Sequence, residues 1–548
     1  MTQPFDTPGL PDHDTSLAPQ DLYSRSFTGG KSHFMRAIVG SKLPLILSLY
    51  DETELSARLY TNLNTASWDE WQFVEPTAIS SEEIRFDLQV EKRGSYSCRL
   101  QVSLDGGETW LWDSAAETYI LAEPAGLRHL KMYTLIPQAS GSIMDWIRLL
   151  PEIAGMDFNM IHLLPITHMD QSQSPYSAYD FFAIDPRYRD ESVPRSADEQ
   201  FEEFVQAMES HGLRLCVDLV YNHTGVTSMV AKRRPEWIMG DAMENDGMRR
   251  AGWQGDVWHK WLDLVLIHYD HPVKSIRDEI WDYMRAYCHK WGGYAARTGG
   301  MIRLDNLHSS HEGFTQSVLA DLRETYPELL IFAELFTDHS QNARLIWKYG
   351  LNTLLGTPWE LHFVPELRNY LKYVHACSPS IRFFTPVSTH DSGTPAQEFG
   401  DVRSTLPRYA ISCFFTQGLT GMSQGVEYGC KRKINFIGEN CPIELTNGIE
   451  FTKEIAKFHR ILDEHPIFHD GGNLTFIDDE HHAIMAAWRM APEEMQNGIL
   501  AMVNLDIMGK QTIDLKLGRH GLLLKGKALE DMLTGRTVPV TGDVLKLT

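Results

Sequence analysis

Short apolar runs alternate with longer helical stretches in this 548-residue chain, from about residue 130 to about residue 460. The runs have the length of buried strands, and the stretches between them have the length of helices. A strand followed by a helix, repeated eight times, predicts a parallel sheet that closes into a (β/α)8 barrel. The sixth and eighth runs are the weakest. In order, the runs are Lys131–Ile136, Met160–Ile166, Leu213–Val220, Gly300–Leu304, Leu329–Ala333, Thr353–Thr357, Phe383–Ser388 and Gly421–Ser423.

The segments on both sides of the predicted barrel have the pattern of β domains. Residues 1–27 are interpreted as a flexible leader, and residues 28–125 contain alternating runs separated by turns, which predict an N-terminal β-sandwich. We expect the barrel over 126–465, with a long loop at about 225–270, and a C-terminal β domain over 466–548. The predicted fold class is α/β: a TIM (β/α)8 barrel flanked by an N-terminal and a C-terminal β-sandwich domain.

The net charge of −23 disfavours nucleic acid and anionic membranes as partners, because both attract basic surfaces. The first residues lack a signal-peptide pattern, and no apolar run reaches the roughly 20 residues of a membrane span. The seven cysteines form no close pair, which indicates buried, reduced thiols. We therefore expect a cytoplasmic protein that acts on a neutral substrate, without membrane or nucleic-acid partners. The oligomeric state is not determined by the sequence.

Polar residues follow four of the predicted strands at the point where each strand ends. Asp218 ends the third run, Asp305 and Glu334 follow the fourth and fifth, and His390-Asp391 follows the seventh. A single carboxylate in such a place often caps a helix or forms a structural ion pair. Because the carboxyl ends of all barrel strands meet at one mouth, the whole set indicates an active site.

Two of these acids suit the cleavage of a glycosidic bond. Ends of neighbouring strands lie about 5 Å apart, and retaining glycosidases hold their two carboxyl groups about 5–5.5 Å apart. We expect Asp305 to act as the nucleophile and Glu334 as the acid/base. The guanidinium of Arg303, two residues before Asp305, should keep that carboxyl ionised.

These four segments, in this order, resemble the signature regions of the α-amylase family of glycoside hydrolases. Ser174–Asp180 is similar to that family's loop after the second strand, and Phe415–Glu427 is similar to its strand-eight region. The resemblance covers about residues 130–460. It implies that Asp305 is the nucleophile, that Glu334 is the acid/base, and that Asp391 binds ring hydroxyls of the sugar and stabilises the transition state.

The resemblance also implies the residues that hold the substrate. Arg303 would orient Asp305, Tyr179 would stack on the sugar, and Asn222 would brace the site from behind together with Asp218. His223 and His390 would form hydrogen bonds to the sugar. The complete predicted substrate-binding set is Tyr179, Asp180, Asp218, His223, Arg303, His308 and His390.

Within the family, Ile302–Ser309 and Ala333–Thr337 look like the 4-α-glucanotransferase domain of glycogen debranching enzymes. His308-Ser309 stands where amylases usually carry Lys-His, a pair that lines the acceptor side and helps to hold calcium. With this departure, the resemblance implies a small-molecule carbohydrate substrate, no metal site and no cofactor.

Several functions stay open at this level. We slightly favour hydrolysis of a small α-glucoside, such as a glucosylglycerol-type osmolyte or a short oligosaccharide, because no second catalytic domain is evident. Four tryptophans in the 225–270 loop, at 237, 253, 258 and 261, also favour a closed pocket. The alternative is a 4-α-glucanotransferase that acts on glycogen-type α-1,4-glucans. A non-catalytic binding protein is disfavoured because all three acids are present. A sugar-phosphate isomerase is disfavoured because Gly418–Gly429 begins without basic residues.

Overall fold

The N-terminal part of the chain forms two sheets that pack face to face. In a computed structural model the chain is described over residues 17–547 except 20–21, 28–33, 51–53, 66–68, 114–116, 128, 255–257, 439–440, 447, 470, 472, 478–479, 491–497, 521–527 and 541–543. The strands are β1 (Tyr23–Phe27), β2 (Phe34–Ile38), β3 (Lys42–Leu49), β4 (Ser56–Thr61), β5 (Gln72–Val74), β6 (Ala78–Ile79), β7 (Glu83–Gln89), β8 (Gly94–Ser103), β9 (Leu111–Trp112) and β10 (Thr118–Glu123). They form the sheets β1-β3-β7-β6 and β2-β10-β8-β4-β5, with β9 beside β8. Alternate side chains of β3 and β7 point into an apolar core shared with β4, β8 and β10, as in a sandwich.

The end of the predicted leader is a strand of this sandwich. Tyr23–Phe27 pairs antiparallel with β3, and the buried Tyr23 donates its hydroxyl to Asp113 Oδ1 at 3.0 Å. The structure thus corrects the expectation of a flexible leader up to residue 27. The segment is largely polar and shows no apolar pattern, but backbone pairing with β3 holds it in the sheet. Residues 1–16 lie outside the described residues.

The middle of the chain forms a closed parallel barrel. The strands of this region are β11 (Lys131–Leu135), β12 (Met160–Leu163), β13 (Thr167–Met169), β14 (Ala178–Ile184), β15 (Arg214–Leu219), β16 (His223–Gly225), β17 (Arg250–Gln254), β18 (Trp258–Leu266), β19 (Met301–Leu304), β20 (Leu330–Ala333), β21 (Thr353–Leu355), β22 (Phe383–Phe384) and β23 (Thr420–Ser423). Eight of them lie side by side in the order β22-β21-β20-β19-β15-β12-β11-β23. Hydrogen bonds from Thr385 N to Leu419 O and from Val387 N to Gly421 O, each 2.9 Å, join the two ends. Seven of the predicted apolar runs each contain one barrel strand, and the eighth covers β23 except for Thr420, so the barrel prediction is confirmed.

Helices cover the outside of the barrel and connect its strands. They are α1 (Ile143–Gly155), α2 (Ala197–Ser210), α3 (Met229–Arg233), α4 (Lys274–Arg297), α5 (Glu312–Thr325), α6 (His339–Tyr349), α7 (Val364–Ala376), α8 (Pro395–Glu398), α9 (Thr405–Phe414) and α10 (Thr452–Glu464). α1 begins at a capping box in which Ser142 and Asp145 each accept a hydrogen bond from the other's backbone N–H. Because each crossover returns the chain to the same end of the barrel, all strand carboxyl ends open at one mouth.

The predicted loop at 225–270 carries a small antiparallel sheet, in the order β16-β18-β17. Trp237 is buried beside Tyr283, with ring centroids 5.3 Å apart, and so belongs to the packing of this segment. Trp253 is 45% exposed and stacks on His259 at 4.4 Å. Residues 255–257 and the side chain of Trp258 lie outside the described residues. The segment stands beside the mouth because it follows the carboxyl end of β15.

The C-terminal part contains small sheets that share one apolar cluster. Its strands are β24 (Leu474–Phe476), β25 (Ile484–Arg489), β26 (Ile499–Asn504), β27 (Ile513–Lys516), β28 (Ala528–Asp531), β29 (Arg536–Pro539) and β30 (Val544–Leu547). The buried Arg489 donates hydrogen bonds to Phe414 O at 3.1 Å and Thr416 O at 2.8 Å, which fastens β25 to the barrel. Over the described part of the chain, none of the helices combines the length and the apolar character needed to cross a bilayer.

Candidate active site

Three neighbouring barrel strands bring the predicted acids together. β15, β19 and β20 are adjacent, with Asp218 opposite Arg303 and Leu304 opposite Ala333. Asp305 directly follows Leu304 and Glu334 directly follows Ala333, so the two acids lie at the same level of neighbouring strands. Since such strands lie about 4.8 Å apart, the two carboxyl groups stand side by side at the mouth.

One buried guanidinium contacts three of the carboxylates. Arg303 Nη1 lies 2.5 Å from Asp218 Oδ2 and 3.4 Å from Asp305 Oδ1, and Arg303 Nη2 lies 2.8 Å from Glu334 Oε2. The backbone N–H of Asn306 also donates to Glu334 Oε2 at 3.1 Å. Asn306 has a φ of +47°, a left-handed conformation that asparagine tolerates better than most residues. This N–H is a contact to Glu334 that sequence reasoning missed.

The pKa of Asp305 differs from the sequence-based expectation. Burial raises it well above the usual value for aspartate, and Glu334, Asp218 and Asp391 raise it further, while Arg303 alone lowers it. Arg303 lies closer to Asp218 and Glu334 than to Asp305, so at Asp305 its charge does not outweigh burial and the neighbouring carboxylates. That Arg303 keeps Asp305 ionised in the reaction stays a prediction.

Asp218 lies at the bottom of the site. Its Oδ2 accepts a hydrogen bond from Tyr176 Oη at 2.9 Å and lies 3.3 Å from His162 Nε2. Burial opposes the ionised form of Asp218, but Arg303 and the neighbouring histidines lower its pKa below the usual value. Burial lowers the pKa of His162 to about 4, so this imidazole is neutral near pH 7. These contacts hold Asp218 in place beneath Arg303, and its bracing role stays a prediction.

His390 and Asp391 form the opposite wall. His390 Nε2 lies 2.7 Å from Tyr176 Oη and 2.9 Å from Asp391 Oδ2. The Tyr176 and His390 rings stack at 5.5 Å with an angle of 11°. The protein that surrounds the mouth partly desolvates Asp391 and by itself would raise its pKa, but His390, Arg303 and Lys433 hold the pKa well below the usual value. Its side chain is 56% exposed, so an ionised carboxylate faces the open mouth.

The structure brings Tyr176 rather than Tyr179 to the carboxylates. Tyr179 packs edge-on against His168, with centroids 4.9 Å apart, and lies beneath the Lys232 ammonium at 5.5 Å. Asp180 Oδ1 accepts hydrogen bonds from the backbone N–H groups of residues 182 and 183. Both positions therefore have structural contacts in the β13–β14 hairpin. The sequence prediction named Tyr179 and Asp180 as substrate-binding residues, whereas Tyr176 of the same segment, Ser174–Asp180, is the tyrosine that reaches the carboxylates.

The remaining predicted binding residues lie at different depths. His223 is 1% exposed and its ring lies 6.0 Å from that of Trp261. Burial lowers its pKa to about 4, so it is neutral near pH 7. His308 stands at the rim of the mouth, 6.2 Å from the ring of Phe336, which is 52% exposed. His308 and Phe336 thus form an open surface on the Glu334 side of the site.

No group of three or more His, Cys, Asp or Glu residues suited to hold a metal ion is present among the residues that the structure describes. Asn222, at the position where the family draws a calcium ligand, is buried. The expectation of no essential metal stays a prediction.

Comparison with known proteins gives three kinds of similarity. The sequence model of the glucanotransferase domain of glycogen debranching enzyme matches residues 124–242. The α-1,4-glucan:maltose-1-phosphate maltosyltransferase of Chlorobaculum tepidum is 24% identical over 449 residues, covering 74% of this chain and 63% of that protein. A second such enzyme, from Streptomyces coelicolor, is 25% identical and is matched over 61% of its length, against 72% of this chain. The chain thus spans less than two thirds of the length of these curated relatives.

Solved structures share the fold at low sequence identity. An α-amylase from Lactobacillus plantarum superposes with a TM-score of 0.60 at 17% identity, over 77% of this chain and 97% of that one. A cyclomaltodextrinase has a TM-score of 0.60 at 15% identity, over 94% of this chain and 96% of that one. The barrel fold, the debranching-enzyme match and the maltosyltransferase relatives all agree with the resemblance of this chain to the α-amylase family of glycoside hydrolases.

Proposed function

We propose that the protein is a retaining transglycosidase that moves α-1,4-linked glucosyl units between glucan chains, as a 4-α-glucanotransferase does. The observation that carries the proposal is the pairing of Asp305 and Glu334 at one level of β19 and β20, bridged by Arg303. Carboxyl groups on neighbouring strands suit the short separation of a double displacement, whereas an inverting enzyme needs room for a water molecule between them.

In the first step Asp305 attacks the anomeric carbon of the donor sugar. Glu334 gives its proton to the glycosidic oxygen, the bond to the leaving chain breaks, and an ester between the sugar and Asp305 forms. Asp305 must be ionised for this attack, although its pKa is raised in the free protein. We infer that Arg303 moves from Glu334 towards Asp305 when substrate binds, since catalytic contacts often tighten only in the substrate complex.

In the second step Glu334 removes the proton from a hydroxyl of an acceptor. The acceptor oxygen attacks the anomeric carbon, and Asp305 leaves as a carboxylate. Retention of the α-configuration follows because each step inverts the carbon once. Asp391, ionised and open to the mouth, is placed to form hydrogen bonds to the donor ring and to stabilise its positive charge in the transition state.

The surface beside Glu334 favours an acceptor sugar over water. Phe336, 52% exposed, presents an aromatic face next to His308 at the rim, and sugar rings stack on such faces. A bound acceptor excludes the water that would otherwise hydrolyse the intermediate. The maltosyltransferase relatives are also transferases by name. These findings favour the glucanotransferase alternative, and the slight sequence-based preference for hydrolysis of a glucosylglycerol-type osmolyte is not supported.

The proposal is tested by incubating the full chain with maltopentaose alone. Transfer conserves the number of reducing ends, so we expect shorter and longer maltooligosaccharides with no rise in reducing ends. Hydrolysis would raise them, and Asp305→Asn is the matched inactive control. A parallel reaction with maltose 1-phosphate and a glucan tests a glycosyl phosphate as donor. Release of reducing ends without longer products, or activity on glucosylglycerol alone, would overturn the proposal.

A further inference from the structure

A cavity of about 470 Å³ lies between the barrel and the C-terminal part of the chain, and it is called the α8 cavity below. Its walls come from the loop between β21 and α7, from the segment that runs from α8 into α9, and from the loop that follows β26. The first two follow the carboxyl ends of β21 and β22, so the cavity lies at the same end of the barrel as the active site. Its volume falls in the range of about 300–1,000 Å³ that is typical of small-molecule sites.

Part of the lining of the α8 cavity is apolar. The Arg408 guanidinium lies on the ring of Phe399, with Cζ 3.6 Å from the ring centroid, and the ring of His362 lies 5.0 Å from that of Phe399. Leu505 and Ile507 line the cavity from the loop that follows β26. The C-terminal part of the chain therefore contributes apolar surface to a cavity whose charged groups come from the barrel.

Two groups of opposite charge also line the cavity. Arg408, 8% exposed, donates to Leu361 O at 2.9 Å and to His362 O at 3.1 Å. These bonds use two of the five N–H donors of a guanidinium. Glu398 Oε1 accepts from Gly393 N at 2.9 Å, and Glu398 Oε2 lies 3.6 Å from His362 Nε2. The Glu398 side chain is 27% exposed, so its carboxylate is open to a ligand.

This lining favours a neutral ligand that is rich in hydroxyl groups. The charges of Arg408 and Glu398 oppose each other, so the pair favours neither an anion nor a cation. A hydroxyl group suits both side chains, because it accepts from the guanidinium and donates to the carboxylate. Apolar surface beside such groups matches a sugar ring, which has C–H faces and hydroxyl edges. The chemistry of the cavity is therefore that of a carbohydrate site.

The α8 cavity shares a segment of the chain with the active site. Gln397, which lines the cavity, accepts from Lys433 N at 2.7 Å, and Lys433 Nζ donates to Asp391 O at 3.0 Å. Glu398 holds the N–H of Gly393, two residues after Asp391. A ligand in the cavity thus lies against the segment that carries Asp391.

From these contacts, and resting on the proposed function for the identity of the sugar, we infer that the α8 cavity is a second, non-catalytic binding site for a short stretch of an α-glucan. Asp305, Glu334 and Asp391 do not line it, so it holds a chain without cleaving it. A polymer bound there is kept close to the mouth, which raises its effective concentration at the active site. A trisaccharide occupies one site at a time and gains no such advantage.

Calorimetric titration with maltotriose counts the sites in the full-length chain. Asp305→Asn is the background, because it binds the sugar without converting it. Ile507→Trp fills the cavity from a half-buried position and should remove one bound maltotriose per chain. Met508→Trp adds bulk to the adjacent residue, which is 79% exposed, and should bind as many as the background. If the two tryptophan variants bind equal numbers, the cavity is not a sugar site.

Glu398→Gln tests the same site without added bulk. Its amide oxygen can still accept from Gly393 N, but a charged acceptor for a sugar hydroxyl is lost. Maltotriose should therefore bind the cavity at least about tenfold more weakly. Thermal unfolding shows that each variant is folded, and unchanged affinity at every site in folded Glu398→Gln would overturn the inference.

Kinetics of the active protein test what the second site does. The ratio of KM for maltopentaose to KM for soluble starch should fall at least about tenfold in Ile507→Trp and keep the wild-type value in Met508→Trp. An unchanged ratio in Ile507→Trp would overturn the inference, while transfer from maltopentaose, and with it the proposed function, would stand. Absence of transfer from maltopentaose in the wild type would instead refute the proposed function, and the count of bound maltotriose would still test the cavity.

Discussion

Glu427 offers a direct measurement of how burial controls a carboxyl group in this barrel. It lies just after β23 and is 3% exposed. Tyr133 Oη donates to its Oε1 at 2.5 Å, whereas its Oε2 has no hydrogen-bond partner within the described part of the chain. Burial raises the pKa of Glu427 from 4.5 to about 7. We predict that Glu427→Gln makes the protein more stable than the wild type above neutral pH.

The expected size follows from the difference between the folded and the unfolded pKa. A rise from 4.5 to about 7 corresponds to a preference for the neutral carboxyl in the fold of about 3 kcal/mol, since a tenfold change in proton affinity is worth about 1.4 kcal/mol. Below about pH 4.5 both states are protonated and this stability is fully present. As the pH rises towards about 7, the unfolded state loses its proton first, so the free energy of unfolding falls by up to about 3 kcal/mol. Glutamine has nearly the same shape and stays neutral throughout.

The assay is thermal unfolding of wild type and Glu427→Gln between about pH 5 and about pH 8. The Tm difference should grow with pH in favour of the variant and reach a few degrees. Glu454→Gln, on the exposed side of α10, is the matched control and should follow the wild type at every pH. If the wild-type and Glu427→Gln curves run parallel, the carboxyl does not change its proton between these states, and the reasoning from burial is refuted.

The proposed roles at the mouth predict further outcomes. Asp305→Asn should lower turnover by several orders of magnitude with little change in Tm, since the covalent intermediate no longer forms; near-normal rates would exclude it as the nucleophile. Glu334→Gln should be nearly inactive on glucans but should still form the glycosyl-enzyme from an α-glucosyl fluoride, and azide should restore its turnover. If azide does not change the turnover of the folded variant, Glu334 is not the acid/base. Phe336→Ala should raise the ratio of hydrolysis to transfer, measured as reducing ends released per bond cleaved, whereas the exposed Phe363→Ala should not; equal ratios would remove Phe336 from the acceptor side. A chelator should leave the rates unchanged, and a loss that calcium restores would establish an essential metal. Proton NMR should show the α-anomer first; initial release of the β-anomer would contradict retention.

The barrel could be predicted because its signal is local and repeated. Strands covered on both faces must be apolar along their whole length, so each of the eight left a continuous run. The acids could be placed for a related reason, since residues that follow parallel strands all reach the same mouth. Asp218, Asp305 and Glu334 accordingly meet around Arg303. The choice between Tyr176 and Tyr179 was different, because both stand in one loop segment and sequence order does not tell which ring turns inward. The β13–β14 pairing, with its shifts in register, decides it.

The sequence by itself therefore determined the barrel, the order of its acidic segments and the resemblance to the α-amylase family, because these follow from periodicity and from residues close together in the chain. Only the tertiary structure decided which carboxylates Arg303 contacts and how deeply Asp305 is buried among them, which raises its pKa. The position of residues 430–438, which follow β23, is likewise a tertiary feature. Their buried side chains meet Ile136 and Leu164, which lie roughly 300 residues away in the chain, and burial by such distant partners leaves no pattern in either segment alone.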